Sequence, residues 1–369
     1  MDNFIVSARK YRPASFETVV GQSAITSTLR NAILNHQLAQ AYLFTGPRGV
    51  GKTTCARIFA KTINCMNLQP NGEPCNECES CKAFNSGRSL NIHELDAASN
   101  NSVDDIRSLV DQVRILPQVG KYSVYIIDEV HMLSTAAFNA FLKTLEEPPA
   151  HAIFILATTE KHKILPTILS RCQIYDFNRM KVSDTVEHLK KIAAKEGIVA
   201  EESALDIIAQ KADGAMRDAL SIFDQVVSFC GKNLTYAQVI ANLNVLDYDY
   251  YFRLTDHFYN GRVSDALLLF NEILEKGFDG GHLIAGLGKH LRDVLVSKDP
   301  VTVQLLEVSA TLKARYAEQA KECSVDFLYE ALKVLEQCEM QYKQRMEKRL
   351  CVEIAFIRLC QINELKKKA

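Results

Sequence analysis

The chain has 369 residues, of which 47% are hydrophobic and 24% charged, with 43 basic against 44 acidic side chains and a formal net charge of −1. That length suffices for two or three domains with separate cores, and only 16 glycines and 9 prolines argue against long disordered linkers. The balanced charge excludes nucleic-acid binding through bulk charge, so any such contact needs a local basic face.

No apolar run reaches the length of a membrane span. The opening Met1-Asp2-Asn3-Phe4-Ile5 leads into Arg9-Lys10-Tyr11-Arg12 without the apolar stretch of a secretion signal. With eleven cysteines, an odd number, the expectation is a reducing cytoplasm, no disulfides and no membrane partner.

In chain order, Ala41–Phe44 is a short apolar strand. It feeds Gly46-Pro47-Arg48-Gly49-Val50-Gly51-Lys52-Thr53, and a helix follows from Thr53 to Asn64. Cys65, Cys75, Cys78 and Cys81 come next, in a polar segment. Further strands are expected at Asn91–Leu95, Tyr122–Ile127 and Ala152–Ala157, with a helix starting near Pro166. Near-continuous apolar runs separated by helices fit parallel strands buried on both faces. Beyond about Asn178 strand signals stop. Lys181–Glu196, Ser203–Ala212 and Ala215–Phe229 read as helices, and everything from Asp247 is helical. Leu328, Leu332, Leu335 and Cys338 form one core-facing stripe, and Leu350, Ile354 and Ile357 another.

The glycine-rich segment is a phosphate-binding loop placed between a strand and a helix. Gly49 and Gly51 let the backbone curl around phosphates, Lys52 reaches the β- and γ-phosphates, and Thr53 holds Mg²⁺. Thr54 continues the nucleotide-binding run. Asp128 and Glu129 end an apolar strand, where Asp128 would orient the Mg²⁺ shell and Glu129 would act as base on the attacking water. His131 has no evident ligand partners and reads as structural. The spacing Cys65-x9-Cys75-x2-Cys78-x2-Cys81 suits one tetrahedral structural Zn²⁺ with no open position for water. The surrounding Gln69, Asn71, Glu73, Asn76, Glu77 and Glu79 cannot form a core, so metal would stabilise the segment. Arg171 alone reads as a surface residue, and Arg217 opens a helix from which it could reach a nucleotide.

Several further pieces stand beside these: Arg9-Lys10-Tyr11-Arg12-Pro13, Val20-Gly21-Gln22, Asp96-Ala97-Ala98-Ser99, Lys143-Thr144-Leu145-Glu146-Glu147-Pro148-Pro149, Leu156-Ala157-Thr158-Thr159 and Ser170-Arg171-Cys172. Together with the loop, the cysteines and Asp128-Glu129 they resemble AAA+ ATPases, and more narrowly the gamma/tau family of bacterial clamp loaders. The resemblance is dense over Ser7 to Leu220 and thin in the last third. It implies an α/β AAA+ P-loop domain over 1–178 with a zinc knuckle at 65–81, a three-helix lid over 179–243, and an all-α collar over 244–369.

The resemblance also assigns roles. Thr158 matches sensor 1, Arg217 matches sensor 2, and Arg171 matches an arginine finger acting in trans on a neighbour's ATP. Arg9, Tyr11, Val19 and Val20 lie where the adenine pocket forms, and Gly46 to Thr54 with Lys52 would hold the phosphates. ATP, Mg²⁺ and structural Zn²⁺ are the implied cofactors. Other gamma/tau copies, δ and δ′ in a pentameric ring, the β sliding clamp and primed-template DNA are the implied partners, within a polymerase III complex in the bacterial cytoplasm. A long C-terminal extension of the tau kind is not part of these residues. A δ′-type subunit would lack a working P-loop, and the intact Lys52, Thr53 and Glu129 argue against it. A DNA translocase of the Holliday-junction kind would not be expected to carry the knuckle and the Ser-Arg-Cys triplet. A non-enzymatic nucleic-acid-binding module fits least, for want of a basic or aromatic stripe.

Overall fold

The computed structural model describes residues 5–306, 308 and 310–368. Two compact units emerge: Met1–Gly197 with Ile208–Gln225, and Ile198–Ile207 with Val226–Ala369. The division passes through the helices Glu202–Lys211 and Met216–Cys230, inside the expected lid segment.

In the first unit, five strands among the described residues form one parallel sheet: β1 (Ala41–Thr45), β2 (Ile92–Asp96), β3 (Ser123–Asp128), β4 (Ala152–Thr158) and β5 (Gln173–Asp176). Their order is β2-β3-β4-β1-β5. Every residue of β1 and β4 is buried, as is β3 up to Asp128, because helices cover both faces. Tyr42, Phe44, Ile126 and Ile155 face the P-loop helix Lys52–Ile63 in one core. Leu43, Tyr125, Ile127 and Phe154 alternate with them and face the helices Val103–Val113 and Thr135–Glu146 in the other. Each fully buried side chain of this kind contributes roughly 1.5–3 kcal/mol. Local caps set where these helices begin. Ser102 forms a capping box with Asp105, and the Ser134 hydroxyl accepts from the Ala137 amide at 3.2 Å.

The fifth strand was not expected from sequence. Gln173–Asp176 is four residues long, sits at the sheet edge, and buries only Tyr175, so it carries no apolar run. Strand pairing also resumes beyond Asn178, against expectation. In the second unit the two-residue β6 (Val199–Ala200) and β7 (Asn233–Leu234) pair in parallel, too short for a sequence pattern.

The rest of the second unit, among described residues, is helical. Tyr248–Tyr259, Val263–Glu275, Gly280–Val296, Ala310–Glu322, Val325–Tyr342 and Lys348–Lys368 contribute to one core. Phe258, Phe270 and Phe356 meet there, with ring centroids 4.9 and 5.3 Å apart around Phe356. Leu328, Leu335 and Cys338 are buried as the stripe predicts. The second stripe is offset by two positions. Leu350 is 44% exposed, while Val352, Phe356 and Leu359 point inward. Apolar residues surround this helix, so spacing alone selects no face.

Candidate functional site

The parallel register brings the C-terminal ends of the strands level. Thr45 pairs with Thr158 and with Asp176, and Asp96 pairs with Asp128. The chain leaves β1 through the loop Gly46–Gly51 and enters the helix Lys52–Ile63, whose N-cap Gly51 is left-handed at φ 104°. Gly46 is doubly constrained. It has φ 142°, and a Cβ there would lie 2.3 Å from the Phe177 carbonyl oxygen. The loop is also held from outside, because the Gln22 side-chain amide donates to the carbonyls of Val50 at 3.4 Å and Asn178 at 2.7 Å.

Lys52 is 6% exposed, and its ammonium donates to the carbonyls of Gly46 and Pro47 at 2.8 and 2.7 Å. Burial lowers its pKa, and Glu129 and Asp128 oppose that shift. The Thr53 hydroxyl donates to Asp128 Oδ2 at 2.7 Å, which joins the loop to the acidic pair. Asp128 Oδ1 accepts from the Glu129 amide at 3.0 Å. Glu129 itself is left-handed at φ 47°, which turns its side chain sharply off the strand end. Its Oε2 accepts from the Thr159 amide and hydroxyl at 3.2 and 3.0 Å.

Thr158 is fully buried and shares a hydrogen bond with His131 Nδ1 at 3.0 Å. The same nitrogen lies 3.4 Å from Glu129 Oε2, and Nε2 lies 3.6 Å from Glu160. Thus His131, read from sequence as structural, sits between Thr158 and Glu129. Its contact with Thr158 left no sequence signal, because Thr158 ends β4, 27 residues away. Thr159 was missed for the same reason.

A cavity of about 750 Å³ opens over this arrangement. Arg48, Gly49, Val50, Gly51, Lys52, Thr53, Thr54, Asp128 and Glu129 line one side, and Arg9, Tyr11, Val19 and Val20 line another, with Arg217 also at its wall. The Arg217 amide lies 3.4 Å from the Gly49 carbonyl. Arg12, part of the Arg9–Pro13 motif, donates from Nε to Thr54 Oγ1 at 3.2 Å. Burial lowers its pKa, with Arg57 and Arg217 adding repulsion and Glu94 opposing. Cationic and acidic groups therefore face one another across a single cleft, an arrangement suited to a polyphosphate with a divalent cation. Gly46, Pro47 and Thr158 do not line it. Arg171 is elsewhere: its guanidinium donates to Glu146 at 2.8 Å and to the Thr167 carbonyl at 2.7 Å, away from this cavity.

The four cysteines converge as expected, with sulfurs all within 4.8 Å of one another. Four sulfurs around one zinc at Zn–S of about 2.3 Å lie about 3.8 Å apart, and Cys65 and Cys75 are 3.5 Å apart. Backbone amides aim at these sulfurs: Cys75 N to Cys65 at 3.3 Å, Cys78 N to Cys75 at 3.3 Å and Cys81 N to Cys78 at 3.5 Å. Burial opposes ionisation of Cys78. The amides of Cys81 and Met66 and the neighbouring sulfurs outweigh it and pull the thiol down to about 6. The donor set fits a closed zinc site, with Cys65, Cys75, Cys78 and Cys81 as the holding residues and no position for catalysis.

Comparison with known proteins divides the chain into three segments. Family models match residues 21–181 (DNA polymerase III, delta subunit), 184–232 (DNA polymerase III clamp loader subunit, ATPase lid domain) and 234–369 (DNA polymerase III subunits gamma and tau domain III). The chain is 44% identical over 353 residues to DNA polymerase III subunit tau of Bacillus subtilis (strain 168), across 96% of its own length and 62% of that relative's. It is 36% identical over 318 residues to DNA polymerase III subunit gamma of Buchnera aphidicola, across 86% of its own length and 85% of that relative's. The Thermotoga maritima RuvB Holliday junction branch migration motor shares a loose likeness, at 20% identity and TM-score 0.49 over 67% of this chain and 78% of that one. An AAA+ P-loop domain with a five-stranded parallel sheet, an ATPase lid and a helical C-terminal domain describes this fold. The chain belongs to the gamma and tau family of DNA polymerase III clamp-loader subunits.

Proposed function

We propose that this chain binds and hydrolyses ATP as a motor subunit of the clamp loader. The observation that carries the reading is the 2.7 Å hydrogen bond from Thr53 to Asp128, which closes the phosphate loop onto the acidic pair at the wall of the cavity. Gly46 to Thr54 would cradle the phosphates through backbone amides, and Lys52 would contact the β- and γ-phosphates. Thr53 and Asp128 would hold Mg²⁺, which neutralises charge developing on the phosphates when bound. Glu129 would take the proton of the attacking water, Thr158 would sense the γ-phosphate, and Arg217 would contact it from the lid. Arg9, Tyr11, Val19 and Val20 would surround the base. Zinc at Cys65, Cys75, Cys78 and Cys81 would serve folding.

Arg171 faces away from its own cavity, which supports action in trans on a neighbour's ATP. The three family matches support an ATPase domain over 1–178, a lid over 179–243 and an oligomerising collar over 244–369. In this reading other gamma/tau copies, δ and δ′ complete a pentameric ring that opens the β sliding clamp on primed-template DNA in the cytoplasm. Among the described residues no helix is long and apolar enough to cross a membrane. The test combines binding and turnover. Lys52→Ala should abolish ATP binding. Arg171→Ala should bind ATP normally yet lose DNA-stimulated turnover in the assembled ring, by roughly 10³-fold or more. Undiminished ring turnover by Arg171→Ala would refute the trans role, and ATP binding by Lys52→Ala would refute the site.

A further inference from the structure

The residues Pro13–Val20 form a strap along one side of the cavity, lined there by Pro13, Val19 and Val20. The strap has a single large anchor in the core, Phe16, at 2% exposure. Val19 packs partly against the same core, and two buried charged side chains that lie outside the cavity wall hold the strap's backbone. Glu73, 6% exposed and placed between Cys65 and Cys75, accepts from the backbone amides of Phe16 at 3.0 Å and Glu17 at 3.1 Å. Lys61, 2% exposed near the end of the P-loop helix, donates to the Ala14 carbonyl at 2.9 Å and to Asn76 Oδ1, between Cys75 and Cys78, at 2.8 Å. Lys61 thus ties strap, P-loop helix and knuckle together through one ammonium group.

A buried carboxylate or ammonium is tolerated only where hydrogen bonds replace its water. For both residues part of that replacement is strap backbone. In the loop carrying Glu73, Leu68 packs partly against the core and Pro74 is buried, while Met66 is 63% exposed. Its shape is further set by the four converging sulfurs, by backbone hydrogen bonds from Gln69 to Glu73 at 3.0 Å and from Gly72 to Gln69 at 2.9 Å, and by the Asn71 side chain, which accepts from the Glu73 amide at 3.2 Å.

We propose that the cysteine knuckle braces the strap, with Glu73 and Lys61 as positioning residues that set affinity for the base and sugar of the nucleotide and not for its phosphates. The proposal rests on the reading of the cavity as an ATP site. Glu73→Gln keeps one acceptor oxygen but turns an amide group toward the second backbone N–H, which loosens the strap without touching a sulfur or the phosphate loop.

The test is calorimetric titration of the full-length chain with ATP and, separately, with inorganic tripolyphosphate, alongside zinc content. Glu73→Gln should retain its zinc, weaken ATP about tenfold, and leave tripolyphosphate binding unchanged. An unchanged ATP affinity, or an equal loss for both ligands, would overturn the brace. Failure of the wild-type chain to bind ATP would instead overturn the nucleotide reading beneath it. A second measurement needs no variant: stripping zinc from the wild-type chain with EDTA should accelerate hydrogen exchange at the amides of Phe16 and Glu17. Unaltered exchange there after zinc loss would also overturn the proposal.

Discussion

His290 makes the C-terminal helical unit sensitive to acid. The ring is 2% exposed in the helix Gly280–Val296, packed against Phe252 and Tyr316. Gln319 presents its carbonyl oxygen to Nε2 at 2.9 Å, because its amide is spent on the Phe252 carbonyl at 2.9 Å and Asp256 at 2.8 Å. Nε2 must therefore carry the proton, and Nδ1 accepts from the Tyr316 hydroxyl at 3.2 Å. The neutral ring is satisfied on both sides. Burial pushes the pKa down to about 4; Arg315 adds to this, and Gln319 opposes it. A folded pKa below the unfolded value contributes stability above about pH 6.5 that is lost as pH falls toward 4. The shift of about 2.5 units corresponds to roughly 3 kcal/mol in full, and to roughly 2 kcal/mol between pH 7 and pH 5. Hydrogen exchange of the 280–296 amides, corrected for intrinsic rates, should show about twentyfold less protection at pH 5 than at pH 7. His290→Gln should flatten that dependence. The same pH slope in wild type and variant would refute the reasoning.

Other expectations follow from single contacts. Gly46→Ala should cost roughly 3 kcal/mol, since both φ and the Phe177 carbonyl oppose a Cβ, whereas Gly51→Ala, with open space around it, should cost roughly 1 kcal/mol. Urea midpoints in the reverse order would contradict this. Thr159→Val removes a 3.0 Å hydrogen bond that occupies a Glu129 carboxylate oxygen; basal ATP turnover should rise, by about threefold or more, and a fall would show that the contact aids catalysis. Cys78→Ser should release zinc and expose 66–80 to thermolysin while the sheet stays folded. Retention of a full equivalent of zinc would show that Cys78 is dispensable to the site.

Much of the first unit was legible because its signals are local. The loop Gly46–Thr53 and the acidic pair Asp128-Glu129 are contiguous in sequence and end apolar runs, so strand, turn and helix could be placed within a residue or two. The cysteine cluster was legible because metal geometry restricts ligand spacing. What escaped was set by distant chain. The contacts from His131 to Thr158 and from Thr159 to Glu129 form only when β3 and β4 align. Glu73 looks like one more surface acid in a polar loop until the strap amides fold onto it. Gln173–Asp176 pairs at an edge through backbone, which leaves little trace in side chains. The inward face of Lys348–Lys368 was ambiguous because Leu350, Ile354 and Ile357 have the same spacing as Val352, Phe356 and Leu359.

The most direct test of the ATPase reading is the steady-state turnover of the full-length chain with δ, δ′, β clamp and primed DNA added in turn, in wild type and Glu129→Gln. Wild type should be strongly stimulated once clamp and primed DNA are both present. Glu129→Gln should bind ATP as tightly and lose turnover by about 10²-fold or more, the range expected when a general base is removed. Equal turnover by the two proteins, or turnover indifferent to clamp and DNA, would contradict a clamp-loading ATPase built on Thr53, Asp128 and Glu129.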